Sequence, residues 1–278
     1  MEKHIQKKME EIRQAAMKRE SLGVPGEPET TGDVCPLCGG RGLIPEGDSA
    51  RVCGCMRQKA LEHRFRHARL DGEYRNRRFD DFDLSYYPED KKSPGSRGSM
   101  RQGALKCLAA ARTLVQEVAD DRPDHRGMYI FGSVGSGKTL LAACIANELI
   151  ARGREVLFVV VPDLLDELRA TFSNKNETDE LTLMQSIRTV PVLILDDLGA
   201  HNYSEWTAGR LYNMINYRVN HRLTTVFTSN FSLSQLEEVL DKRTCSRILE
   251  LCQLYRLDSD QDIRVKRYMA REMFDKPE

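Results

Sequence analysis

A chain of 278 residues, 30% charged and 40% hydrophobic, has room for one full α/β domain and a smaller module beside it. Its 42 basic and 42 acidic side chains cancel, which excludes a uniformly basic or acidic protein, and no apolar run reaches the length of a membrane span. Residues 1–20 are charged throughout and are not a signal peptide, so the protein is expected in the cytoplasm, where eight cysteines are poor material for a disulfide framework.

Ile5, Met9, Ile12 and Met17 recur at near-helical spacing, and the spacing predicts a short amphipathic helix over 1–20. Gly, Pro, Glu and Thr over 21–32 read as a linker. Next come Cys35-Pro36-Leu37-Cys38, fourteen further residues, and Cys53-Gly54-Cys55. Two tight turns that each supply two thiolates offer the soft, tetrahedral donor set of zinc, with metal–sulfur bonds of about 2.3 Å. Four thiolates leave no open coordination position, so the metal is expected to hold a fold together rather than to catalyse. The second pair is the less common C-x-C, and a redox pair or unliganded thiols stay open as alternatives. Residues 56–70 predict a basic helix on which His63 and His67, four apart, read as surface residues. Cys107, Cys144, Cys245 and Cys252 fall in helical apolar patterns and read as core.

From Arg51 to Arg78 there are nine Lys/Arg against three acids, a net of +6 that leaves −6 to the remainder. Such a stretch fits an anionic partner, nucleic acid or an acidic protein face, and equally a solvated helical face. Composition shifts near Phe79-Asp80-Asp81-Phe82-Asp83. Residues 88–103 read as a loop and 104–119 as a helix. From Met128 onward, strand candidates 128–131, 156–161, 190–195 and 224–228 alternate with helix candidates 138–151, 163–172, 179–188, 204–221 and 233–240. The alternation predicts a parallel sheet covered by helices. A further helix is predicted over 241–251.

Between the first of these strands and its helix stands Gly132-Ser133-Val134-Gly135-Ser136-Gly137-Lys138-Thr139, the phosphate-loop pattern G-x-x-x-x-G-K-[ST]. Glycines let successive N–H groups point at one phosphate, Lys138 carries a charge to the β- and γ-phosphates, and the Thr139 hydroxyl suits Mg²⁺. Leu140 opens the helix, whose N-terminus faces the phosphates. The sequence therefore predicts a nucleoside triphosphate site. The apolar run 190–195 ends in Asp196 and Asp197: the first is placed to hold Mg²⁺ through water, the second to orient an attacking water. Asn230 ends the fourth strand, within reach of the γ-phosphate or that water, although an Asn there also suits a plain turn. Arg243 and Arg247, four apart, share one helix face; they are ordinary surface charges or include a finger for a neighbour's nucleotide.

The ordered set Gly132–Thr139, Leu193-Ile194-Leu195-Asp196-Asp197-Leu198-Gly199, Thr228-Ser229-Asn230 and Arg243-Thr244-Cys245-Ser246-Arg247-Ile248 resembles AAA+ ATPases, specifically bacterial replicative helicase loaders of the DnaC/DnaI type. The resemblance extends to the cysteine module, to Phe79–Asp83, to Leu211-Tyr212-Asn213-Met214-Ile215-Asn216-Tyr217-Arg218 and to Asp262-Ile263-Arg264. It implies an AAA+ core over 79–278 behind a zinc-binding, partly helical domain over 1–78 that grips the hexameric replicative helicase. It also implies ATP, Mg²⁺ and Zn²⁺ as cofactors, single-stranded DNA as a ligand, side-by-side self-assembly, and ATP turnover that accompanies release. Asn230 would match sensor 1, Arg247 the trans finger with Arg243 beside it, and Arg264 a late nucleotide-contacting arginine. Two positions depart from the family pattern: Asp260 stands where glycine is common before Asp262, leaving the role of Arg264 open, and His201 replaces a frequent acid. Alternatives are an IstB-type transposition helper acting on duplex DNA and a nucleotide-gated adaptor with negligible hydrolysis.

Overall fold

The computed structural model describes residues 35–46, 49–53, 55–56, 70, 72–95, 97–122, 126–173, 184–200 and 202–274. The helix and linker expected over 1–32, most of the helix expected over 56–70, and His63, His67 and His201 lie outside the described residues. Residues Cys35–Glu278 form one compact unit. No helix among the described residues is long and apolar enough to cross a membrane.

The cysteine segment contains a small antiparallel hairpin, β1 (Leu43–Glu46) with β2 (Ser49–Val52). Three short 3₁₀ turns follow, at Gly72–Tyr74, Phe79–Asp81 and Leu84–Tyr86, and lead to helix α1 (Met100–Ala119). That helix starts four residues earlier than the sequence suggested. Ser99 Oγ accepts from the Gln102 N–H while the Gln102 side chain accepts from the Ser99 N–H, a reciprocal cap that recruits Met100–Gly103 into the first turn.

The main sheet contains β3 (Gly127–Phe131), β4 (Val156–Val160), β5 (Val192–Leu198), β6 (Thr224–Ser229) and β7 (Cys252–Arg256), in the order β4-β5-β6-β3-β7, all parallel. Between them run α2 (Lys138–Ala151), α3 (Val161–Ser173), α4 (184–189), α5 (Glu205–Asn220), α6 (Leu233–Val239) and α7 (Lys242–Leu251), and α8 (Ile263–Phe274) follows β7. Strand residues alternate between two cores, as a period of two requires. Ile130, Phe158, Ile194 and Val226 pack with Leu114 of α1 and Leu141 and Ile145 of α2. Tyr129, Leu157, Leu195 and Phe227 pack with Leu165 of α3, Ile215 of α5 and Ile248 of α7. Burial on both faces is why these strands read as continuous apolar runs.

Strand β7 and helix α8 were not foreseen. Cys252, expected to continue a helical core pattern, is instead the first residue of an edge strand, buried with its thiol donating to Thr225 O at 3.3 Å. Cys107, Cys144 and Cys245 are buried on helices as expected. Among the described residues β7 pairs with β3 alone, and Gln253 and Leu254 are exposed, so it lacks the apolar run that marked the other four strands. Of the helix expected over 179–188, the described part is α4, at 184–189.

Candidate nucleotide site and cysteine cluster

The loop between β3 and α2 is held from behind by the segment joining β7 to α8. Leu257 N–H donates to Phe131 O (2.8 Å), Ser133 N–H to Asp258 Oδ1 (2.9 Å), Ser259 N–H to Ser133 Oγ (3.0 Å) and Ile263 N–H to Gly135 O (3.0 Å). This approach explains two of the glycines. At Gly132, φ is 149° and a Cβ would lie 2.0 Å from Leu257 O; at Gly135, φ is 68° and a Cβ would lie 2.1 Å from the Asp262 carboxylate. A side chain at either position would push the loop off its support.

Gly135, Ser136, Gly137, Lys138, Thr139, Leu140, Asp196, Asp197, Asn230 and Arg264 line one cleft of about 250 Å³. Gly132 shapes it from behind. Lys138 Nζ donates to Gly132 O (3.1 Å) and Ser133 O (2.6 Å). Burial lowers its pKa to about 8, against the pull of the Asp197 and Asp196 charges. Ser136 Oγ is buried and has no hydrogen-bond partner among the described residues. A buried ammonium and an orphaned hydroxyl in one glycine loop at a helix N-terminus are the complement of a phosphate.

The two acids reach the same cleft because β5 is irregular: pairing with β6 shifts register between Leu195 and Leu198, and Asp197 has φ of +60°. A regular strand would send successive side chains to opposite faces. Thr139 Oγ1 lies 3.1 Å from each Asp196 oxygen, and Thr228 Oγ1 donates to Asp196 Oδ1 at 2.5 Å. Burial raises the Asp196 pKa, with the Thr228 and Thr139 hydrogen bonds opposing it. Thr228 Oγ1 also accepts from the Asp197 N–H (2.9 Å), and Asn230 Nδ2 donates to Asp197 Oδ1 at 3.3 Å. Because β6 lies between β3 and β5, these three elements end side by side.

Sequence reasoning missed one wall of the cleft. Glu73, Tyr74, Arg77, Phe82, Tyr86 and Tyr87 line it from the segment before α1, and Arg267 from α8. Phe82 stacks on Tyr87 at 5.4 Å between centroids, and the Tyr87 hydroxyl donates to Ser136 O at 2.7 Å. Asn147 of α2 pins this segment by donating to Tyr74 O and Arg77 O, both at 2.9 Å. The aromatic-rich run ahead of the loop was the available signal. Arg264 forks onto Asp262 (Nη2–Oδ2 2.7 Å, Nε–Oδ1 3.0 Å) at the start of α8. Asp260 is bound by Lys91 (2.9 Å) and Lys266 (2.5 Å), which hold its carboxyl down at about 2. Arg243 and Arg247, on α7, do not line the cleft of their own chain.

The four N-terminal cysteines converge. Their sulfur atoms all lie within 4.8 Å of one another, with Cys35–Cys53 at 3.9 Å and Cys38–Cys55 at 3.4 Å. A tetrahedron with metal–sulfur bonds of about 2.3 Å has sulfur–sulfur edges of about 3.8 Å. The β1–β2 hairpin carries the chain from one pair to the other, and the Gly42 N–H donates to Cys38 Sγ at 3.3 Å. Burial opposes ionisation of Cys38, but that N–H and the neighbouring thiols bring its pKa to about 6, while Cys55 is pushed up to about 12. Four sulfurs this close cannot all ionise without a cation among them.

A family model described as "IstB-like ATP binding protein" matches residues 113–257, just over half of the chain. The replicative helicase loader DnaI of Bacillus subtilis is 33% identical over 148 residues, 49% of this chain and 47% of that protein. The replicative helicase loader DnaC of Escherichia coli is 28% identical over 148 residues, 53% of this chain and 58% of that protein. The chain therefore spans about half the length of the curated relatives it matches. A crystal structure of DnaI covers 68% of this chain and 92% of its own, at 30% identity and a TM-score of 0.53. One of DnaC covers 67% and 99% at 24% identity and a TM-score of 0.52, a likeness of fold. The cysteine cluster lies outside the stretch that the family model matches. With the phosphate loop, acid pair and strand order on one sheet, these matches assign the chain to the IstB-like ATP-binding protein family, with an AAA+ ATP-binding domain of the DnaC/DnaI type.

Proposed function

We propose that this protein is an ATP-dependent loader that binds the hexameric replicative DNA helicase and helps to place it on single-stranded DNA. The observation that carries the reading is the hydrolytic geometry of the cleft, in a chain akin to proteins named as helicase loaders: an acid, Asp197, held by Asn230 beside a phosphate loop. The backbone of Gly135–Gly137, Lys138 and Ser136 would bind the phosphates, and Thr139 and Asp196 would hold Mg²⁺, which neutralises charge on the β- and γ-oxygens. Asp197 accepts a hydrogen bond from water and aims it at the γ-phosphorus, while Asn230 fixes the carboxylate. Arg264 and Arg267, at the start of α8, face the same cleft.

Arg243 and Arg247 lie outside that cleft, and in this reading Arg247 completes a neighbour's site when copies assemble side by side. Residues 1–78 grip the helicase. The four thiolates hold structural zinc: their spacing suits the ion, whose charge stabilises thiolates that burial otherwise opposes. The IstB-type alternative shares the core and gives the matched family its description; similarity to two named loaders favours the loader.

The test is co-purification of the full chain with the host's replicative helicase, with and without ATP. Retention of the helicase, altered by ATP, supports the loader. A chain that ignores the helicase in every nucleotide state and instead assembles on duplex DNA with a transposase overturns it.

A further inference from the structure

Asp260 departs from the family pattern, and its carboxylate does not line the cleft; nor do the two lysines that hold it, Lys91 and Lys266. The three lie where two walls of the cleft join. One wall is the segment that carries Tyr74, Phe82, Tyr86 and Tyr87, and the other is the start of α8, with Ile263, Arg264 and Arg267.

Each wall is anchored separately. Ahead of α1, the Met100 N–H donates to Lys91 O (2.8 Å) and the Arg101 N–H to Pro88 O (3.3 Å), while Lys92 pairs with Ser99 in an isolated antiparallel bridge. The backbone at Lys91 is thereby tied to the first turn of α1. On the other side, the strap from β7 to α8 is bonded to the phosphate loop at Ser259 and again at Ile263. Asp260 stands between those two anchor points, with its side chain 15% exposed.

Its two oxygens are used separately: Oδ2 accepts from Lys91 and Oδ1 from Lys266. Lys266 Nζ also lies 3.5 Å from Tyr86 O, and the Arg267 guanidinium lies over the Tyr86 ring, 5.5 Å from its centroid. Tyr86 is thus held from α8 at both backbone and ring. One carboxylate fixes the spacing of the two walls, through Lys91 on one side and Lys266 on the other.

We propose that Asp260 is the staple of a gate: with Lys91 and Lys266 it holds α8 against the aromatic wall, and it must open for a nucleoside triphosphate to enter or leave the cleft. The proposal rests on nucleotide binding in this cleft and is independent of the loader reading. Because none of the three side chains lines the cleft, the staple forms equally with and without nucleotide. It therefore adds to the barrier for passage in both directions and little to the affinity. A residue that touched the nucleotide would act differently, since its loss would quicken release alone. Partly exposed charge pairs suit a gate, being weak enough to open readily.

The experiment uses the full chain with Mg²⁺ and ATP carrying an N-methylanthraniloyl label on the ribose. Stopped-flow fluorescence gives the association rate, a chase with unlabelled ATP gives the release rate, and calorimetry gives the Kd of unlabelled ATP. Asp260→Ala is expected to raise both rates about fivefold, the upper end for exposed charge pairs, and to leave Kd unchanged. Lys91→Met raises both rates by a smaller factor and adds nothing in the Asp260→Ala background, where its partner is gone. Raising NaCl from about 0.05 M to about 0.5 M shrinks the ratio of variant to wild-type rates toward one, because screening weakens a staple that only the wild type has. Melting temperature falls by no more than about 4 °C in either variant.

Unchanged rates in Asp260→Ala would overturn the gate and leave the cleft standing as a nucleotide site. Faster release with an unchanged association rate, and a Kd raised in step, would make Asp260 a determinant of affinity and overturn the gate equally. A rate ratio that ignores salt would overturn the electrostatic staple. A wild type that binds neither labelled nor unlabelled ATP would remove the nucleotide site itself, and the gate with it.

Discussion

Lys138 is held against its own solvation preference, and replacing it with methionine should stabilise the protein in the absence of nucleotide while abolishing its response to ATP. Burial brings the lysine from 10.5 to about 8, which corresponds to about 3 kcal/mol of penalty on the charged form. Against this, Lys138→Met removes the donor to Gly132 O and Ser133 O, hydrogen bonds worth about 1–2 kcal/mol together. The net gain is about 1–2 kcal/mol, and each kcal/mol raises Tm by about 2–4 °C for a domain of this size. Because the folded pKa lies below the unfolded one, the unfolded chain binds more protons between pH 8 and 10.5. The wild type should therefore gain stability relative to Lys138→Met as pH rises through that window. Thermal melts at pH 7 and 9.5 test this. With ATP at 100 times its Kd, the wild type gains about 2.7 kcal/mol and the variant nothing. A Lys138→Met protein that melts below wild type without nucleotide would refute the burial argument, and one that keeps the ATP shift would refute the phosphate-loop assignment.

Three further outcomes are expected. Asp197→Asn should lower turnover by about 100-fold or more with ATP affinity unchanged, since asparagine tolerates the left-handed φ of +60° at that position; undiminished hydrolysis would remove Asp197 from the mechanism. Metal analysis of protein purified without chelator should give one zinc per chain, lost in Cys38→Ser, and a substoichiometric wild type would count against the four-thiolate site. Asp260→Asn should cost no more than about 1 kcal/mol at pH 7, because its two lysine pairs are partly exposed. Its folded pKa, about 2, lies below the usual carboxylate value, so the contribution is present above about pH 4 and is lost as pH falls through 2. Parallel acid-melting curves for the two proteins would show that the lysine clamp adds nothing.

Local pattern carried much of this protein. The phosphate loop was legible because its chemistry is local: eight consecutive residues between an apolar strand and a helix that starts at Lys138, as expected. Strands β3 to β6 were legible because helices bury both faces of the parallel sheet there. The cysteine spacing implied a shared donor set, and the four sulfurs do converge. Tertiary structure decided everything that depends on a neighbour far along the chain. Strand β7 is partly exposed and carries no apolar run, and its pairing with β3, more than 120 residues earlier, is what shows it to be a strand. The glycines at 132 and 135 are required by Leu257 and Asp262, more than 120 residues away. The aromatic wall joins the cleft because Asn147 pins residues 74–77 to α2 and the Tyr87 hydroxyl donates to Ser136 O. Arg243 and Arg247 could be read as a pair on one face, but their exclusion from their own cleft and the seat of Arg243 over the Tyr212 ring follow from how α5 and α7 pack. Residue periodicity records which side of an element is buried. Only the packed chain sets which distant groups that burial brings together.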